Sequence, residues 1–168
     1  MARLATGDTA ALGQLVERHQ QRVLELAYRT VGNWAAAEDI AQEAFLRVWR
    51  SAVSYQPQAQ FTTWLYRIVV NLCLDTVRRK RPSAGEEALG NVQAAAEPPA
   101  AEGAERSAAV HRAIADLPER QRIALVLYRF SEMSMQQVAE VTGWSASAVE
   151  SLLVRAYAQL RVLLKDLI

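Results

Sequence analysis

Two stretches of this 168-residue chain combine side chains that a chemistry could use. In TTWLYRIVVNLCLDTVRRKRP, Trp64 is followed by Arg67, Asn71, Arg78 and Arg79. Aromatic rings interleaved with cations and an amide suit single-stranded nucleic acid: rings stack on bases while guanidinium groups track phosphates. The plainer reading makes Trp64 a core anchor and the run from Arg78 to Arg81 a solvated helix end that complements the helix dipole. Upstream, Glu38, Asp39, Gln42 and Glu43 gather on one side of a helix. They are either a solvated face favoured by the N-terminal dipole or a docking surface for a basic partner helix. No nucleophile–base set, phosphate-cradling glycine loop or metal-ligand cluster is visible, so neither an enzyme nor a bound cofactor is expected.

The segment that positions the remaining candidates is SMQQVAEVTGWSASAVESLLVRAYAQLR, residues 134–161. Ser134 and Gln137 have capping-box spacing, so hydroxyl and amide can each satisfy a free backbone group. Gly143 stands where a helix must stop in a left-handed residue. Ser145 can cap a second helix, in which Val149, Leu153, Ala156 and Leu160 recur at steps of three and four. A short helix, a glycine turn and a longer amphipathic helix form the helix-turn-helix pattern, whose second helix enters a DNA major groove.

Composition narrows the rest. Net charge is only +1, so nucleic-acid affinity must come from local basic patches. The single cysteine, Cys73, excludes an intramolecular disulfide and reads as a small buried hydrophobe. Two histidines cannot assemble a zinc cluster at recognised spacing. His19 lies near an apolar face and reads as a satisfied core or boundary residue. No apolar run approaches the roughly 18 residues of a membrane span. The N-terminus lacks the pattern of a secretory signal, and a cytoplasmic protein is the simplest expectation.

No sustained alternation of apolar and polar residues supports strands, so an all-α fold is expected. A first helix should span 8–31, capped by Asp8 and buried through Leu12, Leu15, Val16, Val23, Leu26 and Ala27. Gly32-Asn33 should break the chain. A second helix then runs to about residue 51, with Ile40, Ala41, Ala44, Phe45 and Val48 inward. After the polar loop SYQPQAQ (54–60), a third helix should start at Thr62 or Thr63 and end before Pro82. From 83 to 106 the chain turns to Ala, Glu, Gly and Pro, too poor in large apolar residues to offset chain entropy, and reads as a flexible linker. A second domain should begin near Ser107. Pro118 opens a helix whose face is Ile123, Ala124, Val126, Leu127 and Phe130. The architecture is thus two small helical domains, 1–82 and 107–168, joined by a linker.

These residues carry a family likeness. AAAEDIAQEAFLRVWR and FTTWLYRIVVNLCLD followed by RRKRP resemble region 2 of bacterial sigma factors of the extracytoplasmic-function group. LPERQRIALVLYRFSEMSMQQVAEVTGWSASAVESLLVRAYAQLR resembles region 4 of the same family. The resemblance implies a non-enzymatic protein that binds core RNA polymerase, directs it to promoter DNA and helps melt it. It implies that the motif Asp39, Ile40, Gln42, Glu43 and Phe45 docks on polymerase, which favours the partner reading of the acids. It implies that Asn71, with the loop 54–60 bracketed by Tyr55 and Phe61 and with Trp64 beyond it, captures a base flipped from the −10 element. Arg78 and Arg79 would hold phosphates. Ser147, Glu150, Ser151 and Arg155 match positions that face the −35 element.

The chain departs from the commoner pattern at Ala148, Glu150 and Leu152, where many relatives have Thr, a cation and Arg. Glu150 can accept from a cytosine amino group, or it can partner Ser147, since that pair also has capping-box spacing. The resemblance further implies an anti-sigma factor that covers the polymerase- and DNA-binding faces. The competing reading is a helix-turn-helix regulator whose N-terminal helices sense a ligand or dimerise. It leaves Asp39 to Phe45 and Trp64 to Asn71 unexplained.

Overall fold

The computed structural model describes residues 1–56, 60–80 and 104–165. Among them all regular structure is helical. The elements are α1 (Ala2–Ala5), α2 (Thr9–Val31), α3 (Trp34–Arg50), α4 (Phe61–Lys80), α5 (Ala104–Ala115), α6 (Glu119–Leu125), a π-helical turn (Val126–Phe130), α7 (Met135–Thr142) and α8 (Ala146–Leu163).

Local chemistry sets most boundaries. Asp8 accepts from the Ala11 amide at 3.2 Å, and Asn33 accepts from the Ala36 amide at 2.8 Å. Each satisfies one of the amide donors a helix start leaves free. Gly32 ends α2 and Gly143 ends α7, both left-handed, at φ 71° and 73°. Both arms of the Ser134–Gln137 capping box are made. Ser145 caps α8 by accepting from the Ala148 amide.

The first domain packs α2, α3 and α4 around Val23, Leu26, Ile40, Val48, Leu65 and Val69. The second packs α6 and α7 on α8 through Ile123, Leu127, Val138, Val149 and Leu153. Each fully buried Leu or Val contributes about 1.5–3 kcal/mol by leaving water. Cys73 is buried within α4, and burial pushes its thiol up to about 12. The domains also meet: α4 packs on α7, and α2 packs on α5 and the π turn.

Several expectations need correction. Helix α1 has no counterpart in the pattern reading; it is one turn that buries Leu4 against α2. Leu12, Leu15 and Val16 are half-buried rather than core. The third helix starts at Phe61, with the Trp64 amide bonding to Gln60 O. Pro118 is the N-cap of α6 rather than its first residue, because its ψ of 140° is extended. Helix α5 begins at Ala104, three residues inside the segment read as linker; residues 83–103 lie outside the described residues, as do 57–59 of the polar loop. His19 is buried but not satisfied, since its Nδ1 has no hydrogen-bond partner.

Phe130 departs most from expectation. An uninterrupted α-helix would put it on the buried face with Ile123 and Leu127. Instead the Ser131 amide bonds back five residues to Val126 O, opening a π turn. The extra residue rotates the succeeding side chains by about 100°. Phe130 leaves its own core and is 39% exposed.

Candidate nucleic-acid interface

The start of α4 and the loop before it build an aromatic wall. Tyr55 and Trp64 meet edge to face with centroids 4.8 Å apart, and Phe61 lies 5.9 Å from Trp64. Phe61 rests in turn on the ring of buried His19, at 5.4 Å. Tilted arrangements at these distances suit the ring quadrupoles and hold the wall rigid. Tyr55 and Trp64 line a cleft of about 860 Å³ together with Ser54, Gln56, Gln60 and Arg67. Its far side is formed by Gln137 and Glu140 of α7.

Trp64 is half-buried, so it serves as core anchor and cleft wall at once. Asn71 is exposed on α4, about one turn beyond Arg67, and does not line the cleft. Arg78 and Arg79 are exposed at the end of α4; Arg79 Nε donates to Asp75 O at 3.3 Å. Tyr55, Phe61 and Trp64 are thus brought together, while Asn71 and the two arginines continue along the same helix away from them. Gln137 and Glu140 carry no sequence signal for this cleft, because only the docking of the second domain brings them there.

On α3, Asp39 and Gln42 are exposed and unpaired in hydrogen bonds among the described residues. Glu43 accepts from Arg47 Nε at 2.9 Å and lies 4.0 Å from Arg50. The Arg47 hydrogen bond holds its carboxyl below the usual carboxylate value. Ile40 and Phe45 are 4% and 7% exposed, so their side chains belong to the core and offer a partner no surface. They fix the helix that presents the acids. Exposed Leu46 lies one turn from Gln42 and Glu43, off the buried stripe, and its position was legible from that spacing.

On α8, Ser147, Glu150, Ser151 and Arg155 are all exposed and their spacing places them along one face. The capping alternative for Glu150 is not formed. Ser145 is the N-cap, Ser147 lies one residue inside the helix, and its hydroxyl sits 3.2 Å from that of Ser145. Glu150 therefore stands free of that pairing.

No group of His, Cys, Asp and Glu among the described residues could hold a metal ion. No helix among them is long and apolar enough to cross a membrane.

Both halves of the chain match known proteins. Residues 15–82 match the family model of sigma-70 region 2, and residues 107–160 match that of sigma-70 region 4. The ECF RNA polymerase sigma factor SigW of Bacillus subtilis is 34% identical over 173 residues, covering 96% of this chain and 92% of the relative. SigE of Mycolicibacterium smegmatis is 40% identical over 167 residues, covering 94% of this chain and 64% of its own. Among solved structures, CnrH in complex with the cytosolic domain of CnrY superposes with a TM-score of 0.75 at 28% identity, covering 98% of this chain and 94% of that one.

The chain therefore belongs to the sigma-70 family of RNA polymerase sigma factors, in its extracytoplasmic-function group. It is a non-enzymatic initiation factor that binds core RNA polymerase and directs it to promoter DNA. The region 2 match sets aside the regulator with an N-terminal sensing domain.

Proposed function

We propose that the aromatic cleft of the first domain holds a base of the melted −10 element, while the exposed face of α8 reads the −35 element. The observation that carries this reading is the Tyr55–Trp64 wall, which with Arg67 lines a cleft large enough for a nucleobase. Flipping a base costs a few kcal/mol, and stacking on an aromatic side chain returns about 1–3 kcal/mol per base. The two terms are of similar size, so the wall can tip the balance toward the melted state. Asn71 then meets the next nucleotides along α4, and Arg78 and Arg79 neutralise phosphates further on.

The face of α3 carrying Asp39, Gln42 and Glu43 docks on polymerase, with Ile40 and Phe45 holding the helix in place. Acids there steer association with a basic partner helix and set its register. An anti-sigma factor controls the protein, a partner supported by the family and by the complex in which the similar CnrH was solved. The protein works in the cytoplasm, where its polymerase is. Transcription with purified core polymerase on a promoter library tests the whole: enrichment of paired −10 and −35 elements is expected, and random initiation overturns it.

A further inference from the structure

Behind the cleft stands a second row of rings. Tyr55 and Trp64 line the cleft, and Phe61 does not. Phe61 instead backs both, with its centroid 6.5 Å from that of Tyr55 and 5.9 Å from that of Trp64. Behind Phe61 in turn lies His19 of α2, at 5.4 Å and a tilt of 55°. Phe61 is the first residue of α4, so no preceding helical turn fixes it. Its place depends on what it packs against, and among the described rings it touches, His19 alone belongs to another helix. His19 is 8% exposed, and its Nδ1 is sealed from solvent without a hydrogen-bond partner. A leucine or phenylalanine would fill the site without that cost. A buried nitrogen left unpaired calls for a reason.

We propose that His19 is a positioning residue for promoter opening: its neutral ring seats Phe61, and through Phe61 it sets the angle at which Trp64 and Tyr55 meet a base. The proposal rests on the reading of the cleft as the place of a −10 base, and adds to it a residue outside the cleft. A base stacks well only on a ring that offers its face, so a shift at Phe61 passes to Trp64 as lost stacking. The seat is also sensitive to charge. The charged groups that act on His19 are Arg18 and Arg22 of its own helix; α4 faces it with the Phe61 ring, and no carboxylate among the described residues acts on it. An imidazolium there is dehydrated beside two guanidinium groups with no counter-ion. A proton on the ring therefore drives it toward water and takes the support from Phe61. Acid weakens opening in a chain that still folds.

The test uses the full chain with core polymerase and reads permanganate reactivity of unpaired thymines in the −10 element, at pH 7.5 and at pH 5.5. Polymerase titrates too, so each variant is scored against wild type at the same pH. Thermal melts at both pH values confirm that the chains are folded. His19→Gln keeps much of the volume and removes the ring; it should lower opening several-fold at pH 7.5 with assembly on polymerase unchanged. His19→Phe keeps a ring that cannot take a proton; it should open promoters as wild type does at pH 7.5 and exceed wild type at pH 5.5. A folded His19→Gln protein that opens promoters at the wild-type level overturns the proposal. So does a folded His19→Phe protein that opens them no better than His19→Gln. Equal losses on acidification in wild type and His19→Phe overturn the sensitivity to charge. If Trp64→Ala opens promoters like wild type, the reading of the cleft fails instead.

Discussion

The ring of His19 lies 5.4 Å from that of Phe61, which makes the cleft wall continuous with a buried imidazole. Burial, together with Arg18 and Arg22, holds the His19 pKa below its ordinary value of 6.5. The folded protein therefore takes up this proton at lower pH than the unfolded chain does. Below 6.5 the unfolded state binds more protons, so stability falls as pH falls. His111, lowered by burial and by Arg29, acts in the same direction. Thermal melts should show a lower midpoint at pH 5.5 than at pH 7.5. His19→Leu should flatten part of that slope, and an unchanged slope would assign it to other groups.

Trp64→Ala should cut promoter opening by about 5- to 150-fold, the equivalent of one lost base stack. Permanganate reactivity of unpaired thymines reads it directly. Trp64→Phe keeps a ring and should restore most of the opening; a folded Trp64→Phe protein that still fails to open promoters would overturn the stacking account.

Surface and core on α3 separate cleanly. Asp39→Lys should weaken binding to core polymerase, mainly through the association rate and most at low salt, with the melting temperature unchanged. Ile40→Ala should cost about 2–5 kcal/mol of stability, because it empties a buried site. Surface plasmon resonance beside thermal melts distinguishes the two. A stable Ile40→Ala protein with lost polymerase affinity would move Ile40 to the interface.

Glu150→Gln should reorder preference among −35 variants, since the carboxylate only accepts whereas the amide also donates. Selection from a randomised −35 library measures this, and an unchanged preference order would retire Glu150 as a reader.

Glu132 holds φ 54° between the π turn and α7, a conformation costly for a residue with a Cβ. Glu132→Gly should stabilise by about 1 kcal/mol, roughly 2–4 °C in melting temperature. A loss instead would show that the side chain supports the loop.

The features legible in the sequence are local ones. The capping residues Asp8, Asn33, Ser134 and Ser145 and the stops at Gly32 and Gly143 act within a turn of their own position, so spacing reveals them. The stripe on α8 is legible for the same reason. Ser147 and Glu150 show the limit of such reasoning. Two overlapping serines offer two capping registers, and the helix start at Ala146 selects Ser145. The displaced Phe130, the contact from Arg67 to Glu140 and the far side of the cleft depend on which domain faces lie together. No short-range pattern encodes that. Spacing makes Trp64 either an anchor or a ligand platform, and the packing shows one side chain that anchors the core and also lines the cleft.

The sole sulfhydryl of the sequence lies deep within α4, sealed off from oxidants and kept protonated well beyond any physiological alkalinity. The protein consequently has no thiolate with which to register peroxide or electrophiles by itself. Oxidation of this side chain would first require the core around α4 to open.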